Sequence, residues 1–331
     1  MACSPVRVMV LMSLILGAVR GAAAQERVLV GGAAYESPSL VAPLAVLISR
    51  PASDVTTWTV GFTGYTLRGE YARRVAPSVT AVWSADATPV DANHSRYVYR
   101  DGQRDPALAF EDGSYHITAG FNLDGTSPWH ASARAIGLYE TVSGLADSAV
   151  LARWRSPYVG LEIVTSYRRV VSERVVEGRW HGIKVAAAAS GFLGARSWWR
   201  SQLSVSAGKG VGRVELSGET WLLVGGGLDI VNAFLVGGSW DMADRPALYG
   251  YHYAEFRPDR AGVANGGADI RLVGATSLGI RAACLASPSK DTCGGAVRLA
   301  TVWDGIASSI GIGVPASGTT IVFASFSAAA L

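Results

Sequence analysis

The sequence predicts an all-β chain, an antiparallel up-and-down transmembrane β-barrel of about 14–16 strands. Three observations carry that expectation. The first is strict alternation: in the run from Asp269, Ile270, Leu272, Gly274, Thr276, Leu278 and Ile280 share one face, and Asp269, Arg271, Ser277, Gly279 and Arg281 the other. A wall between hydrocarbon and water requires that period of two. The second is length, since several alternating runs exceed the usual strand of about five or six residues. The third is an export leader followed by no apolar run of about 18 residues, so a spanning chain must close its backbone hydrogen bonds between strands.

The leader comes first. Arg7 supplies a positive n-region, Val8 to Ala18 an apolar h-region, and Ala22-Ala23-Ala24 before Gln25 a small-residue cleavage site. Residues 1–24 are therefore read as a signal peptide cleaved near Ala24, with an N-terminal anchor as the alternative. Residues 25–55 form either the first strands (Arg27 to Tyr35 and Leu40 to Ile48) or a short plug, and residues 56–331 form the barrel. No shift in composition marks a further boundary.

Strands are expected at Thr56–Leu67, Pro77–Ser84, Ser95–Tyr99, Ser114–Leu123, His130–Val142, Ser148–Trp154, Tyr158–Val170, Arg179–Ser190, Ser197–Ala207 and Val211–Val224. Arg100 to Gly113 reads as a polar loop. Two more strands are expected at Leu228–Trp240 and at Ala247–Arg257, the latter for its spaced Tyr249, Tyr251 and Tyr253. From Ala268 to Leu331 the chain reads as four consecutive strands, the last three at Gly294–Trp303, Ile306–Val314 and Thr319–Leu331. Asp304-Gly305 is a tight hairpin signal. Short turns belong to the periplasmic side of bacterial barrels, so that turn faces inward and the Cys284–Cys293 loop outward. Trp58, Trp240, Tyr249 and Trp303 fall near strand ends, as interfacial girdles do.

Of three cysteines, Cys3 leaves with the leader. Cys284 and Cys293 flank a polar loop containing Pro288, and an oxidising compartment favours a disulfide across that hairpin tip. Two sulfurs without a nearby His make a poor metal site, and no cofactor is implied.

The formal charge of +3 includes Arg7 and Arg20, so the chain without its leader is nearly neutral and nucleic acid is not a partner. Catalysis lacks a constellation. His94, His116, His130, His181 and His252 show no metal spacing, and His130 with Ser132 shares a strand face without a carboxylate. Gly208-Lys-Gly-Val-Gly212 lies between strands and reads as a hairpin turn. The inward faces hold Glu162, Arg168 and Arg200, with Arg213, Glu215, Glu219, Arg271, Arg281 and Arg298 as the principal lumen-lining candidates. These side chains either form an Arg–Glu network that holds a narrow barrel shut or line a water-filled pore with an Arg-rich constriction.

Along most of its length the chain resembles outer-membrane β-barrel proteins of Gram-negative-type bacteria. The resemblance is one of pattern and includes no motif of a particular family. It implies the bacterial outer membrane as the location, with membrane lipid and the barrel-assembly machinery as partners. Such barrels usually end on an aromatic residue; here Phe323 and Phe326 are followed by Leu331. The expected function is a passive channel or transport barrel for small polar or anionic solutes, and not an enzyme. The alternatives are a closed structural or surface-interaction barrel and a secreted soluble β-protein.

Overall fold

The computed structural model describes residues 27–30, 33–36, 39–41, 45–63, 66–88, 98–100, 103–105, 108–124, 128–144, 154–174, 179–239, 245–303 and 306–328. The signal peptide, the strand expected over 148–153, Trp240 and the Asp304-Gly305 turn lie outside these residues.

The elements run β1 (Arg27–Val30), β2 (Ala33–Glu36), β3 (Ser39–Val41), β4 (Ala45–Ser53), β5 (Thr56–Thr63), β6 (Thr66–Ala76), β7 (Val79–Thr88), β8 (Val98–Arg100), β9 (Gln103–Asp105), β10 (Phe110–Asp124) and β11 (Trp129–Gly144). They continue with β12 (Trp154–Arg174), β13 (Arg179–Gly194), β14 (Trp198–Val211), β15 (Val214–Gly226), β16 (Arg260–Arg271), β17 (Ser277–Ala286), β18 (Thr292–Trp303), β19 (Ile306–Pro315) and β20 (Ile321–Ala328). No α-helix occurs among the described residues. From β4 to β20, leaving out the separate β8–β9 ribbon, 15 strands follow one another antiparallel and up-and-down. The first and last of these do not pair directly. Strand β1 pairs with β4, and β2 pairs with both β3 and β20, but no pairing joins β1 to β2 or β3, so the sheet is not closed among the described residues. The strands described within 25–55 are thus paired with the ends of the sheet.

The pattern of side chains explains why the sheet curls with one face out. Ile117, Val159, Leu161, Ile163, Leu203, Leu222, Ile280, Val297 and Ile312 are all exposed on the outside, Ile117 and Val159 at 70 %. Their alternates along each strand are buried or half-buried. Aromatic rings line up across neighbouring strands on the outer surface: Trp58 meets Tyr71 at 4.5 Å between centroids, Tyr71 meets Trp83 at 5.6 Å, and Trp129 meets Tyr167 at 4.9 Å. Cross-strand aromatic pairs stabilise a ladder and, in a barrel, sit at the lipid–water boundary.

The structure corrects the sequence reading in three places. The run from Asp269 to Arg281 is two strands: Leu272 to Thr276 form a turn, closed by the Leu272 amide donating to the Thr276 carbonyl at 2.9 Å, with Gly274 at φ 58°. The face assignment survives because Arg271 pairs with Ser277 and Ile270 with Leu278, so residues of like parity stay on one face through the turn. Strand β10 begins at Phe110, inside the stretch expected to be loop. Finally, Leu228–Trp240 and Ala247–Arg257 are not wall strands. Over the described part of 227–259 only two isolated bridges form, Val236 with Phe256 and Gly238 with Leu248.

The connections sort by end. At one end all are short: 54–55, 77–78, 125–128, 175–178, 212–213, 272–276 and 304–305. At the other lie the long connections 89–109 and 227–259, together with the disulfide hairpin of β17 and β18.

Candidate functional site

The interior is the candidate site, and the connection 227–259 dominates it. This segment does not project away from the barrel. Every residue from Pro246 to Glu255 is buried, and Leu248, Tyr249 and Tyr251 are almost wholly enclosed. They pack with Phe234 and Val236 against inward side chains of the wall: Trp221 and Leu223 of β15, Val263 of β16, Leu285 of β17 and Phe323 of β20. The largest apolar cluster among the described residues therefore lies inside the barrel's long-loop end.

Glycine makes this fit possible. Gly313 on β19 faces inward, and a Cβ there would come within 2.8 Å of the Gly250 Cα. Gly250 has φ 89°, and a Cβ there would come within 2.7 Å of the Val314–Pro315 peptide. On β18, Gly294 leaves room for the Tyr249 carbonyl and the Tyr251 ring. Backbone lies on backbone, which only residues without side chains allow. The Tyr251 hydroxyl donates to the Cys293 carbonyl at 3.1 Å and meets the Thr292 hydroxyl, tying the loop to the disulfide hairpin. The Cys284–Cys293 disulfide joins a directly paired position of β17 and β18, on their outward face.

The loop also reaches the opposite wall. Asp229 accepts from the amides of Val231 and Asn232, each at 3.0 Å, and the Asn232 side-chain amide donates to Glu140 of β11 at 3.3 Å. Ile230 and Val231 pack on Phe110 and Val142, joined by Val98 from the other long connection. Arg257 lies over the Phe110 ring, 5.6 Å from its centre, and donates to the Ile230 carbonyl. The two long connections meet here, and residues 228–257 span the lumen from β18–β20 to β10–β11.

Below the loop the lumen is polar. Asp269, Gly279 and Arg298 lie in one cross-strand row; Gly267 and Arg281 lie in the next. Arg281, 4 % exposed, is ion-paired to Asp269, and Arg298 reaches the same carboxylate at 3.4 Å. Gly279 makes the room: a Cβ there would come within 3.0 Å of the Arg298 side chain. Arg271 pairs with Glu215 at 3.3 Å, and Asn265 donates to Glu219 at 3.3 Å. On the far wall Arg68 pairs with Glu70 at 2.9 Å and lies 3.7 Å from Asp86.

Four of the six sequence candidates, Glu215, Arg271, Arg281 and Arg298, therefore cluster on β15–β18 around Asp269. Glu219 lies nearer the loop, and Arg213 is in the exposed turn at the short end. Asp269, not named among the lumen-lining candidates, supplies the carboxylate that Arg281 and Arg298 share. Its signal was visible, since it alternates with Arg271 on the charged face. Tyr249 is buried inside the loop and belongs to no girdle, whereas Trp58 and Trp303 are exposed on the outer wall. Gly208 to Val211 belong to β14, and Gly212, at φ 62°, opens the turn. No group of His, Cys, Asp and Glu able to hold a metal occurs among the described residues.

No family model matches the chain, and no curated protein matches its sequence. Solved structures do match its fold. BamA of Haemophilus ducreyi lacking POTRA domains 1–3 aligns with a TM-score of 0.65 at 8% identity, over 91% of this chain and 69% of that one. CdiB of Acinetobacter baumannii aligns at 0.55 with 8% identity, over 92% and 60%. CdiB of Escherichia coli aligns at 0.52 with 12% identity, over 91% and 63%. The chain thus spans less than two thirds of either CdiB. At such identities the likeness concerns fold alone, and the fold is that of the bacterial outer-membrane β-barrels.

Proposed function

We propose that this chain is an outer-membrane transport barrel for small polar solutes, held shut at its long-loop end by the infolded connection 227–259. The observation that carries the reading is the wetness of the lumen toward the short-turn end. Arg168 and Ser217 face inward yet are exposed, and Gln202, Glu219, Asn265 and Arg271 are half-exposed. A barrel filled only for stability would pack that space with apolar side chains. The exposed apolar outer wall with its aromatic rows supports membrane insertion, because a soluble protein rarely leaves so large an apolar surface uncovered. By the rule that bacterial barrels keep short turns in the periplasm, the plugged end faces outward. Arg271, Arg281 and Arg298 pair with the carboxylates of Glu215 and Asp269, so the proposal carries no preference for anions.

The test is conductance in a planar bilayer, comparing the full chain with a variant in which a short turn replaces 230–256. The full chain is expected to open rarely and the shortened one to conduct steadily. If the shortened barrel shows heat-modifiable gel migration but no conductance at any voltage, the transport reading fails and the closed interaction barrel takes its place.

A further inference from the structure

A second feature lies on the outer wall, away from the lumen. A groove of about 470 Å³ opens over β15, β16 and β17 at the long-loop end. Leu222 and Val224 form one side and Ala286 the other, and Gly262 lies between them in the cross-strand row Leu222–Gly262–Ala286. A Cβ at Gly262 would meet nothing within 4 Å, so the groove's depth comes from a missing side chain. Pro288 of the β17–β18 hairpin lines the groove, and the Cys284–Cys293 disulfide pins that hairpin just inboard.

The chemistry changes at the groove's outer rim. Arg260 is exposed, lies opposite Val224 and is the one cation lining the groove. The carboxylate there, Asp291, accepts the Ser287 amide at 3.1 Å and so closes its own hairpin. Lys290 extends instead over the Phe256 ring of the infolded loop, 5.7 Å from its centre. Asp259 precedes Arg260, and its carbonyl accepts the Gly225 amide at 2.7 Å.

We infer that this groove holds one acyl chain of a phosphate-bearing lipid of the outer leaflet, with Arg260 on the phosphate. The inference rests on the membrane reading above. In that setting the floor and sides lie within the apolar band, where the medium is acyl chain. Arg260 stands at headgroup level, where a guanidinium matches a phosphate by paired hydrogen bonds. The leaflet at the long-loop end of an outer membrane is phosphorylated glycolipid, and the inference commits to that source.

The experiment uses the full barrel in non-ionic detergent, with lipid A as the probe and native mass spectrometry as the readout. Wild type is expected to retain one lipid A. Arg260→Gln should weaken retention about tenfold, the loss of one charge-assisted contact. Gly262→Leu, which fills the groove without a clash, should abolish it. Dephosphorylated lipid A should bind the wild type no better than lipid A binds Arg260→Gln. Equal retention by all three proteins, or retention that ignores the phosphate, would overturn the inference. Tighter binding of phosphatidylglycerol than of lipid A would overturn the choice of source. Heat-modifiable migration and liposome insertion are measured on the same samples. A barrel that inserts but retains no lipid A refutes the groove alone, and one that does not insert refutes the membrane reading as well.

Discussion

Gly313→Leu tests directly whether the infolded loop is a seated plug. Gly313 faces the lumen, and an added Cβ would stand 2.8 Å from the Gly250 Cα and 2.9 Å from both the Gly250 nitrogen and the Ser239 hydroxyl. Ordinary contact begins near 3.4 Å, so alanine alone would push the loop tip by 3.4 − 2.8 = 0.6 Å. Leucine adds three carbons with no space to enter. A Cβ added at Gly250 would likewise stand 2.5 Å from the Val314 carbonyl carbon, so this part of the loop has no spare room for a side chain. Overpacking of this kind costs about 1–3 kcal/mol. If that cost falls on the seated state, the ratio of open to shut rises about 5- to 150-fold. Single-channel recording measures the ratio directly. Gly69→Ala is the control, since nothing lies within 4 Å of its Cβ. A Gly313→Leu barrel that folds normally yet opens no more often than wild type would refute the plug argument.

Four further outcomes are expected. Asp269→Ala removes the carboxylate that Arg281 and Arg298 share, and removing one partner of a buried pair costs about 3–5 kcal/mol; denaturant titration of the detergent-solubilised barrel should show that loss, and a change below ~1 kcal/mol would contradict the burial described. Ala254 has φ 54°, in the left-handed region, so Ala254→Gly should raise stability by up to ~1 kcal/mol in the same titration. With the loop shortened, the paired arginines predict a cation-to-anion permeability ratio near unity, and Asp269→Asn should move it toward anions; a strong anion preference before that substitution would show the arginines to be unbalanced. Cys284 and Cys293 should resist maleimide until reduced, and labelling of either without reductant would contradict their pairing.

The alternation of side chains made most of the wall legible from sequence. A strand in a membrane wall meets lipid on one face and water or packed polar groups on the other, and that difference is written residue by residue along β14, β15, β17 and β19. The Cys284–Cys293 hairpin was legible for a related reason, since a short polar loop between two strands brings its flanking residues opposite one another. The same logic misled at Tyr249, Tyr251 and Tyr253. Their spacing imitates a strand, but His252, Ala254 and Glu255 between and beside them are buried too. A segment enclosed on all sides has no outer face for its alternation to report.

Within the wall strands the sequence by itself determined which side chains face out and which face in, because that depends only on parity along a strand. It also determined the presence of inward arginines. Only the tertiary structure decided what surrounds them. Asp269 reaches Arg281 and Arg298 across neighbouring strands, and the infolded loop sets Gly250 against Gly313 and Tyr249 against Gly294. Such contacts join residues far apart in the chain, and they depend on how the sheet curls and on which connection turns inward. Strand periodicity carries neither.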